Sequence, residues 1–202
     1  RDAFEVLVIA WCINLYNFMD GIDGLAAGQS LVAGGIGAVL LAQGGSAGLA
    51  GAAALVAGAS AGFLAWNWAP ARIFLGDVGS GLLGFLFGTL AVASNRAGQL
   101  SLVTWGLLLG VFVFDATVTL ARRMLRGERW YAAHRAHAYQ RAVQAGWSHG
   151  RATAAALILM LGLGGLAWAS AQWPALRPAI LGAAVVVLAV LYGWVERRRP
   201  MS

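Results

Sequence analysis

Asn14-Leu15-Tyr16-Asn17-Phe18-Met19-Asp20-Gly21-Ile22-Asp23-Gly24-Leu25 decides how the chain is read. It places two carboxamides, two carboxylates and two glycines within twelve residues, at the junction of the apolar runs Ala3–Tyr16 and Leu25–Ala42. Ionisable groups beside bilayer-spanning segments are costly, so such a cluster reads as a functional site. The composition agrees. The chain is 60% hydrophobic and 11% charged, with a mean hydropathy of +0.72, whereas a soluble domain carries about 25% charged residues.

Outward from this junction, apolar runs and short polar breaks alternate. The spans read near Ala3–Tyr16, Leu25–Ala42, Gly48–Trp66, Gly79–Ala93, Leu100–Leu120, Ala152–Ala169 and Ala179–Val195. Strand-like alternation is absent, which leaves helices as the spanning element. The first and fourth runs are short of the roughly 20 residues a 30 Å core needs, so tilt or partial insertion is expected there. The predicted fold is all-α: a polytopic transmembrane helix bundle of about seven spans, one integral membrane domain over residues 1–202, without repeat or linker. Gly58-x-x-x-Gly62 and Gly84-x-x-x-Gly88 predict close helix packing inside that bundle. Trp66, Trp68, Trp168 and Trp173 sit at span ends, as interfacial belts do. The single cysteine, Cys12, excludes an internal disulfide and reads as a small packing residue.

The net charge of +6 comes from arginine, since the chain has no lysine. The arginines lie between or after apolar runs, so they mark topology and not a nucleic-acid surface. Seven alternating spans put eleven of them on one side: 72, 122, 123, 126, 129, 135, 141, 151, 197, 198 and 199. The other side holds Arg96 and Arg177, with Arg1 at the chain start. The positive-inside rule therefore assigns the acidic cluster to the cytoplasmic face.

Three polar features fall on that side. Asp20 and Asp23 would share a face if their segment were helical. Two such carboxylates repel unless a cation or proton lies between them, and Mg²⁺ is the natural candidate. In Phe74-Leu75-Gly76-Asp77-Val78-Gly79-Ser80, an acid sits between glycines at a helix start. Asp77 or Ser80 there either caps the helix or borders a phosphate site. The third feature, His134-Arg135-Ala136-His137-Ala138-Tyr139-Gln140-Arg141, would place His134 and His137 on one helical face. Its histidines and arginines suit a diphosphate or, equally, lipid headgroups. Acids for a metal facing bases for phosphates at a membrane surface is the layout of phosphoryl transfer.

These motifs, in this order from about Trp11 to Arg151, resemble the polyprenyl-phosphate N-acetylhexosamine-1-phosphate transferases (glycosyltransferase family 4). The histidine loop is similar to the branch that initiates O-antigen and other cell-surface polysaccharides. The resemblance implies Mg²⁺-dependent transfer (Mn²⁺ as substitute) of an N-acetylhexosamine-1-phosphate from a UDP-sugar to undecaprenyl phosphate, releasing UMP. It implies Asp77 as the metal ligand, with Asp20 and Asp23 as the essential acidic pair. Asn14 and Asn17 would organise the pocket, Asn67 and Phe74 would meet uracil, and His134, Arg135 and His137 would bind the diphosphate. Asp115 matches an acid of that branch whose role stays open, and a homodimer is compatible with the family. The family also carries an Asp-Asp pair upstream of the opening motif. Nothing before Asn14 supplies one, so the chain is expected to be the C-terminal portion of a larger transferase, inactive alone.

Two other classes compete. A CDP-alcohol phosphotransferase needs Asp-Gly-x-x-Ala-Arg, but Asp23-Gly24 is followed by Leu25-Ala26-Ala27-Gly28. A transporter or channel would line an ion path with acids at span centres, whereas Asp20, Asp23, Asp77 and Asp115 lie toward one surface.

Overall fold

The computed structural model describes residues 2–129, 132 and 134–201; Arg1, assigned above to the chain start, lies outside them. In chain order the helices are α1 (Asp2–Met19), α2 (Leu25–Gln43), α3 (Ala47–Asn67), α4 (Gly76–Arg96), α5 (Leu102–Leu108), α6 (Gly110–Leu125), α7 (Ala138–Gln144), α8 (His149–Gln172) and α9 (Arg177–Arg198). The described residues contain no strand. Among the described residues, six segments are long and apolar enough to cross a bilayer: α1, α2, α3, α4, α8 and Pro174–Arg198. The fourth span is not short, since α4 has 21 residues, whereas α1, at 18, stays just under the roughly 20 expected of a span. Their polar end residues continue the helix beyond the apolar run.

The fifth expected span is not one helix. α5 and α6 meet at 87° around Leu109, so they form a broken span or a re-entrant turn. Hydropathy records burial and not direction, so Leu100–Leu120 read as continuous. Polar anchors hold α5 askew. Ser101 caps its first turn through Thr104 N–H at 3.2 Å, and the Trp105 indole donates to Ser94 Oγ of α4 at 2.8 Å. Thr104 Oγ1 lies 3.0 Å from Ser170 Oγ of α8. Beside the break, the buried Gln29 amide donates to Leu108 O at 2.8 Å, supplying a partner where the bend exposes backbone.

Glycines set how closely the helices pack. A Cβ on Gly84 would lie 2.3 Å from Cys12 O, and one on Gly88 would lie 2.9 Å from Ile9 Cα, so α1 and α4 touch backbone to backbone. Gly34 does the same for α2 against Ala53 of α3. Gly58 and Gly62 do not: both face open space on the outer side of α3, correcting the expectation that they pack inside the bundle. Between these pairs, Tyr16 stacks on Phe87 at 5.5 Å and meets Phe112 edge-on at 5.3 Å.

The helices alternate, so one end of the bundle collects the end of α1, the start of α2, the end of α3, the start of α4, the end of α6, all of α7, the start of α8 and the end of α9. Ion pairs tie this end together. Arg122 grips Glu196 through two bonds of 2.7 and 2.8 Å, and Arg141 reaches the same carboxylate. This draws α9 against α6 and α7. At the opposite end, Arg96 of α4 pairs with Asp2 and Glu5 of α1.

Candidate active site

All three polar features meet at the crowded end. The acid loop 20–24 is a bend and turn, not a helix, so Asp20 and Asp23 do not share a helical face. Gly24, at φ +77°, carries the chain into α2 in a conformation that favours glycine. The two acids consequently part company.

Asp23 is held on every side. Its Oδ2 accepts from Ala71 N–H at 3.1 Å, its Oδ1 lies 3.3 Å from His149 Nδ1, and its carbonyl accepts from Thr153 Oγ1 at 2.6 Å. Next to it, Gly24 N–H donates to Asn67 Oδ1 at 3.0 Å. Asn67 is 4% exposed, and its Nδ2 donates to Ile73 O at 2.9 Å, so its amide ties the α3–α4 loop to the acid loop.

Asp20 faces the other way. Its carboxyl is pushed up to about 7, first by burial and then by the negative charge of Asp77. The carboxylate that acts on Asp20 is therefore Asp77, from the first turn of α4, and not its sequence neighbour Asp23. Asp77 is exposed in the first turn of α4, where Leu75 is the N-cap and no side chain caps the helix. Ser80 Oγ instead donates to Asp77 O at 3.3 Å. Phe74, 75% exposed, stands beside Asp77 at the surface. Asn14 and Asn17 lie on an exposed strip of α1, and Asn14 Nδ2 donates back to Ala10 O of its own helix at 2.8 Å.

The histidine loop lies against the acid loop. His134 and His137 precede α7, so they share no helical face, yet their rings sit 4.9 Å apart. His137 is 3% exposed, 6.0 Å from the Phe18 ring, and its backbone N–H donates to Gln140 Oε1 at 3.2 Å. His134 is pushed down to about 4 by burial, then by His137 and Arg123. It is thus neutral at pH 7 and offers hydrogen bonds, leaving positive charge to the arginines. Arg135 is exposed.

Asp115, whose role the sequence left open, docks this loop. Its buried carboxylate accepts from Ala138 N–H at 2.9 Å and Tyr139 N–H at 3.4 Å, and it lies 3.5 Å from His137 Nδ1. Thr119 Oγ1 donates to it as well, at 3.0 Å. An anion at the first turn of α7 also complements the helix dipole. Tyr139 then carries the link onward. Its hydroxyl donates to Phe18 O at 2.9 Å and lies where a Cβ on Gly21 would be, so only glycine fits there.

His149 and Thr153 escaped the reading of the sequence, and Tyr139 entered it only as part of the histidine motif, without a role. Ser148-His149 immediately before an apolar run was a helix-start signal that could have placed one of them.

Two carboxylates, Asp20 and Asp77, could hold one divalent cation. No group of three or more His, Cys, Asp or Glu gathers among the described residues. That donor set suits Mg²⁺, which takes one or two carboxylates and completes its shell from phosphates and water. Burial raises Asp20 first and the charge of Asp77 second, and a cation between them would relieve the second.

Residues 3–95 match the model of glycosyl transferase family 4. The chain is 34% identical over 148 residues to a Bacillus subtilis protein described as "Probable undecaprenyl-phosphate N-acetylglucosaminyl 1-phosphate transferase", covering 71% of the chain and 41% of the relative. It is 30% identical over 149 residues to a Staphylococcus aureus phospho-N-acetylmuramoyl-pentapeptide-transferase, covering 72% and 45%. The chain thus spans less than half the length of these relatives. With the acid loop, the Asp77 turn and the docked histidine loop assembled at one end of a helical membrane bundle, the chain is similar to glycosyl transferase family 4 over residues 3–95.

Proposed function

We propose that the protein transfers an N-acetylhexosamine-1-phosphate from a UDP-sugar to a polyprenyl phosphate such as undecaprenyl phosphate, releasing UMP. One observation carries the reading: the acid loop with Asp20, whose charge feels Asp77 of the first turn of α4, is tied to the docked loop of histidines and arginines through Tyr139 and Phe18. In the reaction an oxygen of the lipid phosphate attacks the phosphorus that bears the sugar. The bond from that phosphorus to the bridging oxygen breaks, and UMP leaves with the electron pair. The chemistry asks mainly for positioning and charge neutralisation.

In this reading Asp20 and Asp77 hold Mg²⁺, which when bound neutralises charge on the diphosphate. Asp23 fixes the acid loop. Phe74 offers an exposed aromatic face for uracil. Arg135 supplies positive charge for the diphosphate, while His134 and His137 supply hydrogen-bond donors. Tyr139 holds the two halves together. The arginine asymmetry orients this end toward the cytoplasm of a bacterial inner membrane, where nucleotide sugars are made, with the isoprenoid tail in the bilayer.

The test is UMP release from radiolabelled UDP-GlcNAc in membranes carrying the protein expressed from its complete reading frame, with undecaprenyl phosphate and Mg²⁺. Release should require Mg²⁺, and Asp77→Asn should abolish most of it while the protein remains folded and inserted. Ion flux without UMP release would overturn the transferase reading in favour of a transporter. Near-normal turnover by Asp77→Asn would remove Asp77 from the metal site.

A further inference from the structure

We propose that His149 is a positioning residue of this site, acting through Asp23 to keep the acid loop and the α3–α4 loop in register. The inference rests on the transferase reading for its kinetic consequences, and on geometry for the rest.

Three separate elements converge on Asp23. The acid loop supplies the residue itself. The α3–α4 loop grips it through Ala71 N–H at 3.1 Å. The first turns of α8 grip it twice, through His149 Nδ1 at 3.3 Å and through Thr153 Oγ1 on its carbonyl at 2.6 Å. The α3–α4 loop then runs through Phe74 to Asp77, and the acid loop carries Asp20 three residues before Asp23. The relative position of Asp20 and Asp77 therefore depends on how Asp23 is clamped.

His149 is suited to that task and to little else. Ser148 caps α8, its Oγ accepting from Arg151 N–H at 3.2 Å, which places His149 in the first turn. Its side chain is 43% exposed, so it contributes little as a packing residue. Bonding to Asp23 Oδ1 requires the proton on Nδ1, which both the imidazolium and one neutral tautomer provide. The backbone fits the same contact, because Gly150 passes the α3–α4 loop with room for a Cβ at only 3.4 Å from Ala69 Cβ. Without His149 the carboxylate keeps one partner on Ala71 and gains freedom to swing away from it.

The consequence is asymmetric. Asp77 and Phe74 belong to the donor side, so loosening the clamp weakens nucleotide-sugar and Mg²⁺ binding more than lipid-phosphate binding. A hydrogen bond to a charged, half-exposed group corresponds to about a tenfold effect.

The test is a set of variants, His149→Ala, His149→Asn, Asp23→Asn and the Asp23→Asn/His149→Ala pair, each measured in membranes and in detergent. His149→Ala should lower kcat/KM for UDP-GlcNAc about tenfold while KM for undecaprenyl phosphate stays within about twofold. His149→Asn keeps a donor near the Nδ1 position and should recover most of the loss. In the Asp23→Asn background, His149→Ala should cost nothing further, since coupled residues are not additive. Mg²⁺-dependent thermal stabilisation gives a readout independent of turnover: His149→Ala should raise the Mg²⁺ concentration at half effect, and Asp23→Asn should erase the difference.

Additive losses in the cycle, or equal change in both KM values, would overturn the positioning role. So would failure of His149→Asn to recover function at unchanged melting temperature. A wild-type protein that binds Mg²⁺ with the expected coupling but releases no UMP would refute the transferase reading and leave the clamp standing. A wild-type protein without Mg²⁺ stabilisation and without the His149–Asp23 coupling would refute the clamp itself.

Discussion

Gly84→Ala tests the packing on which the site depends. The added methyl would lie 2.3 Å from Cys12 O, 2.6 Å from Ile13 Cα and 2.8 Å from Cys12 C. Ordinary contact begins at 3.4 Å, so α1 must retreat from α4 by about 1 Å. All three obstructing atoms are backbone, and no rotamer change relieves them. Forced repacking of this kind costs about 1–3 kcal/mol, against which alanine returns at most about 1 kcal/mol of helix propensity. With three backbone atoms in the way the cost lies in the upper part of that range, about 2–3 kcal/mol, so a net loss of about 1–2 kcal/mol should lower the melting temperature by about 2–8 °C for a chain of this size. Gly58→Ala supplies the control, because a Cβ there meets nothing within 4 Å. It should melt at or slightly above wild type. The assay is thermal unfolding of purified protein in detergent, followed by tryptophan fluorescence. Function should suffer more than stability: α1 ends one residue before Asp20 and α4 begins one residue before Asp77, so a shift of about 1 Å falls directly on the carboxylate pair and can cost on the order of a hundredfold in rate. If Gly84→Ala melts with Gly58→Ala and turns over normally, the backbone contact between α1 and α4 is refuted.

Two further outcomes are expected. Asp20 must lose its proton to hold a cation, so apparent Mg²⁺ affinity should rise as pH increases through about 7 and level off above it. Without metal the sign reverses for stability: a carboxyl raised above its unfolded value binds extra protons in the native state, so the protein loses stability as pH climbs from about 4 to about 7. Melting curves with and without Mg²⁺ between pH 5.5 and 8.5 check both signs (about three pH units in all), and a flat Mg²⁺ response across that range would count against the Asp20–Asp77 pair. Asp115→Ala removes the acceptor for Ala138 and Tyr139 N–H and for Thr119 Oγ1, and the carboxylate that faces His137 Nδ1 at 3.5 Å. It should cost about 2–3 kcal/mol locally and open the histidine loop to protease; a cleavage rate equal to wild type would show that another contact docks the loop.

Hydropathy and arginine placement were sufficient to read an all-α membrane bundle with Asp20, Asp23, Asp77 and Asp115 gathered at one end. Both follow from solvation, which each residue carries with it. Span limits followed closely for α2 and α3. They failed at Leu109, where direction is set by Ser94, Ser170 and Gln29, residues distant in the chain. The glycine pattern shows the same division. Gly84 and Gly88 face a neighbour's backbone while Gly58 and Gly62 face open space, though both pairs have identical spacing.

The acids of the candidate site were visible from their type: Asp20, Asp23 and Asp77 stand out in a chain with eight acids. Which of them face one another was not. Sequence proximity joined Asp20 to Asp23, but the turn at Gly24 points them apart, so that Asp23 goes to Ala71 and His149 and Asp20 to Asp77. Burial cost places a charged side chain at a membrane surface, and the sequence alone determines that much. Partnership is decided by distance across folded loops, which only the tertiary structure supplies.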